Sequence, residues 1–176
     1  MNDVSQMFAN LSKAAPYLSI LIQTVAGLLG VVFAAQGLHK FYLHNRRGEA
    51  QIGTAMMYLL SSAMLINLGL SVDVAFDLLY AGNGASVEHL VAYKPSDVMP
   101  SQAATVMKVI VLLLQLFGLF YLVTGFVELR HLQDNRQGSG TTFQGVMFRI
   151  FGGSALLNIV LTVNTLAGFV GFGKVM

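Results

Sequence analysis

The sequence predicts an all-α membrane protein with four transmembrane helices arranged as two repeated helical hairpins and a short amphipathic helix at the N-terminus. Three observations predict it. The 176 residues are 55% hydrophobic and only 10% charged, with a mean hydropathy of +0.67, whereas a soluble domain carries roughly 25% charged residues. So few charges cannot cover a protein of this size in water. Four stretches, 14–38, 50–72, 109–127 and 150–173, contain no Asp, Glu, Lys or Arg, and crossing about 30 Å of hydrocarbon takes about 20 helical residues. The two halves also resemble each other. Gly30 and Gly37 match Gly118 and Gly125 at an offset of 88, and NRRG at 45–48 matches NRQG at 135–138 at an offset of 90.

Residues 1–16 read as an interfacial helix. Val4, Met7, Phe8 and Leu11 fall at the i, i+3, i+4, i+7 spacing of one helix face, and Pro16 is expected to stop or kink it. The start does not read as a cleaved signal peptide, because Asp3 precedes Lys13 and the following apolar run is too long. Residues 17–79 form hairpin 1, 80–103 an outer connection and 104–173 hairpin 2. Helices are the only open-chain way to satisfy every backbone group in lipid.

Charge sets the orientation. The connection 39–49 carries Lys40, Arg46 and Arg47, and 130–144 carries Arg130 and Arg136, with Arg149 just inside the next helix. Four crossings put both basic turns on one side, and the excess of cations there places them in the cytoplasm, with both termini and the middle connection outside. At the helix ends, Glu128 and Arg149 are expected to pair on the inner side, and Asp73 and Asp77 to face Lys108 on the outer side. None lies mid-helix, where an ion-coupled pump usually keeps its ionisable groups.

No catalytic pattern emerges. There is no cysteine, which removes disulfides, thiolate chemistry and Cys-based metal sites. His39, His44, His89 and His131 lack the i, i+4 spacing of a helical metal pair, and no P-loop, G-x-S-x-G or H-E-x-x-H pattern is present. Neither an enzyme nor a metalloprotein is expected. Small residues are dense instead: Ala26, Gly27, Gly30, Ala34, Ala35 and Gly37 in the first span, Gly152, Gly153 and Ser154 in the fourth. They let helix backbones approach closely in lipid, within the monomer and, by their number, between copies.

The segment LSILIQTVAGLLGVVFAAQGLHKF, the basic turn after it and the repeated hairpin resemble the TraQ proteins of IncI-type conjugative plasmids, and more distantly the IcmC/DotE-type membrane proteins of Dot/Icm secretion systems. The resemblance covers essentially the whole chain and implies a structural part of a type IVB secretion or conjugation machine. Type IV secretion pilins are similar in joining apolar helices by a basic turn that faces the lumen beside bound phospholipid. That analogy implies a pilin held in the inner membrane before assembly and in an extracellular pilus after it. Lys40, Arg46, Arg47, Arg130 and Arg136 would bind lipid phosphates, beside a lumen through which DNA could pass. Such pilins usually have two main helices, so a doubled hairpin departs from them. The alternative implied is a channel or scaffold component that stays in the inner membrane.

Overall fold

The computed structural model describes residues 2–47, 52–80, 101–132 and 142–171. They form six helices and, among the described residues, no strand: α1 Asn2–Arg47, α2 Ile52–Ile66, α3 Leu68–Tyr80, α4 Ser101–Leu129, α5 Phe143–Leu157 and α6 Ile159–Val170. Two are long and apolar enough to cross a membrane, Asn10–Arg46 and Ala104–Leu129. The count rises to four if α2 with α3, and α5 with α6, each make one span.

The separate N-terminal helix expected from Pro16 is not what forms. α1 runs unbroken for 46 residues through that proline, a length of about 70 Å. A proline inside a helix removes one hydrogen bond and costs about 3 kcal/mol. Packing on both sides of it holds the course. Ala15 and Ile22 lie against Leu112 and Leu116 of α4, and the Ser19 hydroxyl donates to the Pro16 carbonyl at 2.7 Å.

Glycines set the pairing. A Cβ at Gly30 would lie 2.9 Å from the Ile66 nitrogen and one at Gly37 3.2 Å from the Leu59 nitrogen, so α1 and α2 run antiparallel in near backbone contact. In the second half, a Cβ at Gly118 would lie 2.7 Å from the Leu157 nitrogen and one at Gly125 3.2 Å from the Ile150 nitrogen. The same two glycines in each half therefore meet the same face of the following helix. Gly153 closes the second seam from the other side, where a Cβ would come within 2.7 Å of the Leu122 nitrogen. Most of the small residues thus serve packing inside the chain, while Gly27, Gly152 and Gly168 have open space where a Cβ would be.

The return helices are not straight. α2 and α3 meet at 95° and α5 and α6 at 96°, around Asn67 and Asn158, which are 91 residues apart. A break in a helix orphans carbonyls, and both breaks solve this alike. In an unbroken helix the Met64 carbonyl would receive the Leu68 N–H; here the Ser71 hydroxyl donates to it at 3.0 Å. The Ala155 carbonyl likewise takes the Thr162 hydroxyl at 2.8 Å. Each hydroxyl also reaches the carbonyl of the break residue, Asn67 at 3.1 Å and Asn158 at 2.9 Å. Hydroxyls of this kind let a helix break where water is scarce. Asn67 additionally caps α3, its Oδ1 accepting from the Leu70 N–H at 3.4 Å.

The two pairs pack side by side. Phe126, Leu122 and Leu119 of α4 are fully buried with Leu65 of α2, Val72 of α3 and Val146 of α5. The Ser61 hydroxyl of α2 donates across to the Phe126 carbonyl at 2.5 Å. α1 and α4 lie parallel, with Ala15 at the level of Leu112 and Phe33 at the level of Arg130.

Candidate functional site: cations seated on aromatic rings between the hairpins

The residues that could engage an outside ligand gather at the basic end. Phe33 of α1 and Tyr58 of α2 are buried, at 3% and 7% exposure, and meet edge-on with ring centroids 6.2 Å apart. Arg130, just past α4, reaches across from the other hairpin and sits 4.1 Å from the Phe33 centroid and 5.7 Å from that of Tyr58. Lys40 of α1 places its ammonium 4.7 Å from the same Tyr58 ring. Two half-buried cations from different hairpins therefore share one aromatic seat. Ring faces attract cations, by about 0.5–2 kcal/mol each depending on exposure to water, but they do not neutralise them. Among the described residues neither cation has a carboxylate partner. The Arg130 Nε donates to His131 Nε2 at 3.1 Å, which fixes that imidazole nitrogen as an acceptor. Among the described residues the remaining guanidinium N–H groups meet no acceptor, and planar N–H pairs suit phosphate oxygens.

The five residues singled out from sequence divide as follows. Lys40 and Arg130 meet at Tyr58. Arg46 does not join them: it lies 5.7 Å over the Tyr42 ring and donates to the Tyr42 hydroxyl, on the exposed face of the same helix. Arg47 ends α1, its side chain outside the described residues, and Arg136 lies outside them altogether, as do His89 and most of the 80–103 connection. Sequence reading missed Phe33 and Tyr58. Phe33, two turns before Lys40, and Tyr58, the one aromatic residue in 50–72, were the available signal.

The charges at the helix ends divide too. Glu128 of α4 and Arg149 of α5 form an ion pair, as expected. With Arg149 38% exposed, the pair contributes about 1 kcal/mol or less. Exchanging the two charges (Glu128→Arg with Arg149→Glu) should be less destabilising than either reversal alone. A thermal-unfolding double-mutant cycle in detergent measures this, and strict additivity would show that no coupling exists. The expected outer set does not assemble: no ion pair joins Asp73, Asp77 and Lys108 among the described residues. The reason is the break at Asn67, which turns α3, with both aspartates, 95° away from the line of α2.

An apolar groove of about 350 Å³ lies between α1 and α4, lined by Leu18, Ile22, Leu113, Leu116, Phe117 and Phe120. Among the described residues no group of three or more His, Asp or Glu is arranged to hold a metal ion. No family model, no characterised protein and no solved structure matches the chain.

Proposed function

We propose that this chain is a structural subunit of a conjugative type IV secretion system, a pilin that assembles with phospholipid into the pilus used for DNA transfer. The observation that carries the reading is the seat at Tyr58, where Lys40 and Arg130 of different hairpins stand together without a carboxylate partner among the described residues. Such a seat fits a lipid phosphate, and the apolar groove between α1 and α4 fits an acyl chain. Two helices long and apolar enough to cross a membrane fit storage in the inner membrane before assembly. In this reading four segments cross the bilayer as two repeated hairpins. The basic ends face the cytoplasm in the membrane and the lumen in the filament, where transported DNA passes beside neutralised cations. The chain carries out no chemistry of its own; other secretion components extract and stack it.

The right-angle breaks at Asn67 and Asn158 favour a second reading, an inner-membrane channel or scaffold part of the same machine. Short apolar helices turned off a spanning segment suit permanent residence in a bilayer. Mass spectrometry of filaments sheared from conjugating cells separates the two. The pilin reading expects this chain as a main filament protein, with phospholipid extracted alongside it. A chain found only in the inner-membrane fraction would replace the pilin by the scaffold.

A further inference from the structure

Because the same hairpin occurs twice, each half shows what surrounds the other half would accept. α3 packs onto α5 of the second hairpin as well as onto α1 and α2 of its own, and Leu68, Val72 and Ala75 are buried at 5%, 0% and 4% exposure. The counterparts of these residues in α6, 91 positions on, are Ile159, Val163 and Leu166. None of them is buried, and no residue of α6 is. Among the described residues α6 touches α4 and α5 but not α2. A closed two-fold relation between the halves would bring α6 onto α2 as α3 is brought onto α5. The relation is therefore open within one chain, and an open head-to-tail relation continues into further copies.

The return helices carry complementary gaps. On α5, Met147 is half-buried and Ser154 buried; their counterparts on α2, Met56 and Ala63, are exposed. Only Phe151 stays about as open as its counterpart Leu60, at 39% against 47%. α5 has α3 for a neighbour where α2 has no equivalent. Conversely, Ser61 of α2 is buried against α4, while its counterpart Gly152 faces open space. One end of the chain thus lacks what the other end offers.

Resting on the reading of the chain as a self-assembling subunit, we infer that α6 of one copy docks on the Met56–Leu60–Ala63 face of α2 in the next, repeating between chains the α3–α5 contact made within each. The first helix of that next copy covers the open face of α5 at Gly152. The occupant of the α6 face is a second copy of this chain and not lipid alone, because the same apolar helix in the first half is already seated on protein. The contact joins unlike surfaces, so it propagates as a ring or a filament and does not stop at a dimer.

The absence of cysteine makes the test clean. Leu60→Cys and Val163→Cys are introduced singly and together, and native membranes are treated with a short bismaleimide. The double variant should give a ladder of covalent dimers, trimers and larger species on a denaturing gel. Co-expressed single variants should give a dimer that neither gives alone. A cross-link confined within one chain would overturn the inference by placing α6 on its own α2. Absence of the ladder, in membranes where an amine-reactive reagent still links the wild-type chain into multimers, would leave self-assembly standing and remove this interface. A monomer with both reagents would remove both. Ala63→Cys with Leu166→Cys provides a second pair with the same expectation should the first disturb folding.

Discussion

Replacing Gly118 by leucine should force α4 and α5 apart and cost about 3 kcal/mol or more, the upper range for overpacking a tight core. The added Cβ alone would sit 2.7 Å from the Leu157 nitrogen and 2.8 Å from the Gly153 carbonyl oxygen. Both are backbone atoms, which cannot swing aside as the tip of a side chain can. Gly152→Ala is the control in the detergent-dispersed single chain, since nothing lies within 4 Å of its added Cβ; an alanine there should not destabilise the monomer and should stabilise α5 by up to about 1 kcal/mol. Thermal or denaturant unfolding in detergent, followed by helical circular dichroism, reads both. Equal effects at the two glycines would mean that the α4–α5 seam is not in backbone contact.

The second large effect is expected at the cationic seat. On the proposed lipid-binding reading, removing both charges, Lys40→Met with Arg130→Met, should leave the purified chain with much less bound phospholipid than the wild type. Each cation beside an anionic lipid contributes about 1 kcal/mol, so losing two weakens binding by roughly 30-fold. Methionine keeps an apolar stem over Phe33 and Tyr58, so the hairpins should remain packed. Arg130→Lys distinguishes charge from shape: it keeps the charge and hence most of the lipid, but gives up the guanidinium contact with Phe33. Lipid phosphorus per protein after detergent washing is the measurement, and unchanged phosphorus in the double variant would remove Lys40 and Arg130 as the phosphate seat.

Much of the architecture was legible in the sequence because its causes are local. Uncharged stretches long enough for lipid gave the helices. The repeated Gly30–Gly37 and Gly118–Gly125 spacings named four of the residues at which the paired backbones approach. Glu128 and Arg149, at the facing ends of one hairpin, were readable as a pair from their positions alone. What escaped depends on contacts between distant segments or on single residues that averaging conceals. Pro16 reads as a stop until Leu112 and Leu116 of α4 are known to pack on either side of it. Asn67 and Asn158 vanish into apolar averages, although each is followed four residues later by the hydroxyl, Ser71 or Thr162, that bridges its break. That Asn-x-x-x-Ser/Thr spacing, present once in each return helix, was the overlooked signal. Arg130 was singled out as a cation of the second basic turn, but its place on Phe33 and Tyr58 required knowing that the second hairpin lies beside the first. The same dependence explains the outer charges: Asp73 and Asp77 could be paired with Lys108 only by assuming a straight helix.

The central claim is that two hairpins of the same orientation enter one membrane with their basic ends together. Cysteine accessibility tests it most directly, since the chain has no cysteine to interfere. Single cysteines would replace Gln6, Asn45, Ser86 and Ser139, and intact cells would be treated with a maleimide that does not cross the inner membrane. The account expects labelling at 6 and 86, and labelling at 45 and 139 only after the inner membrane is opened. Labels at 45 and 139 on opposite sides of the membrane would contradict it.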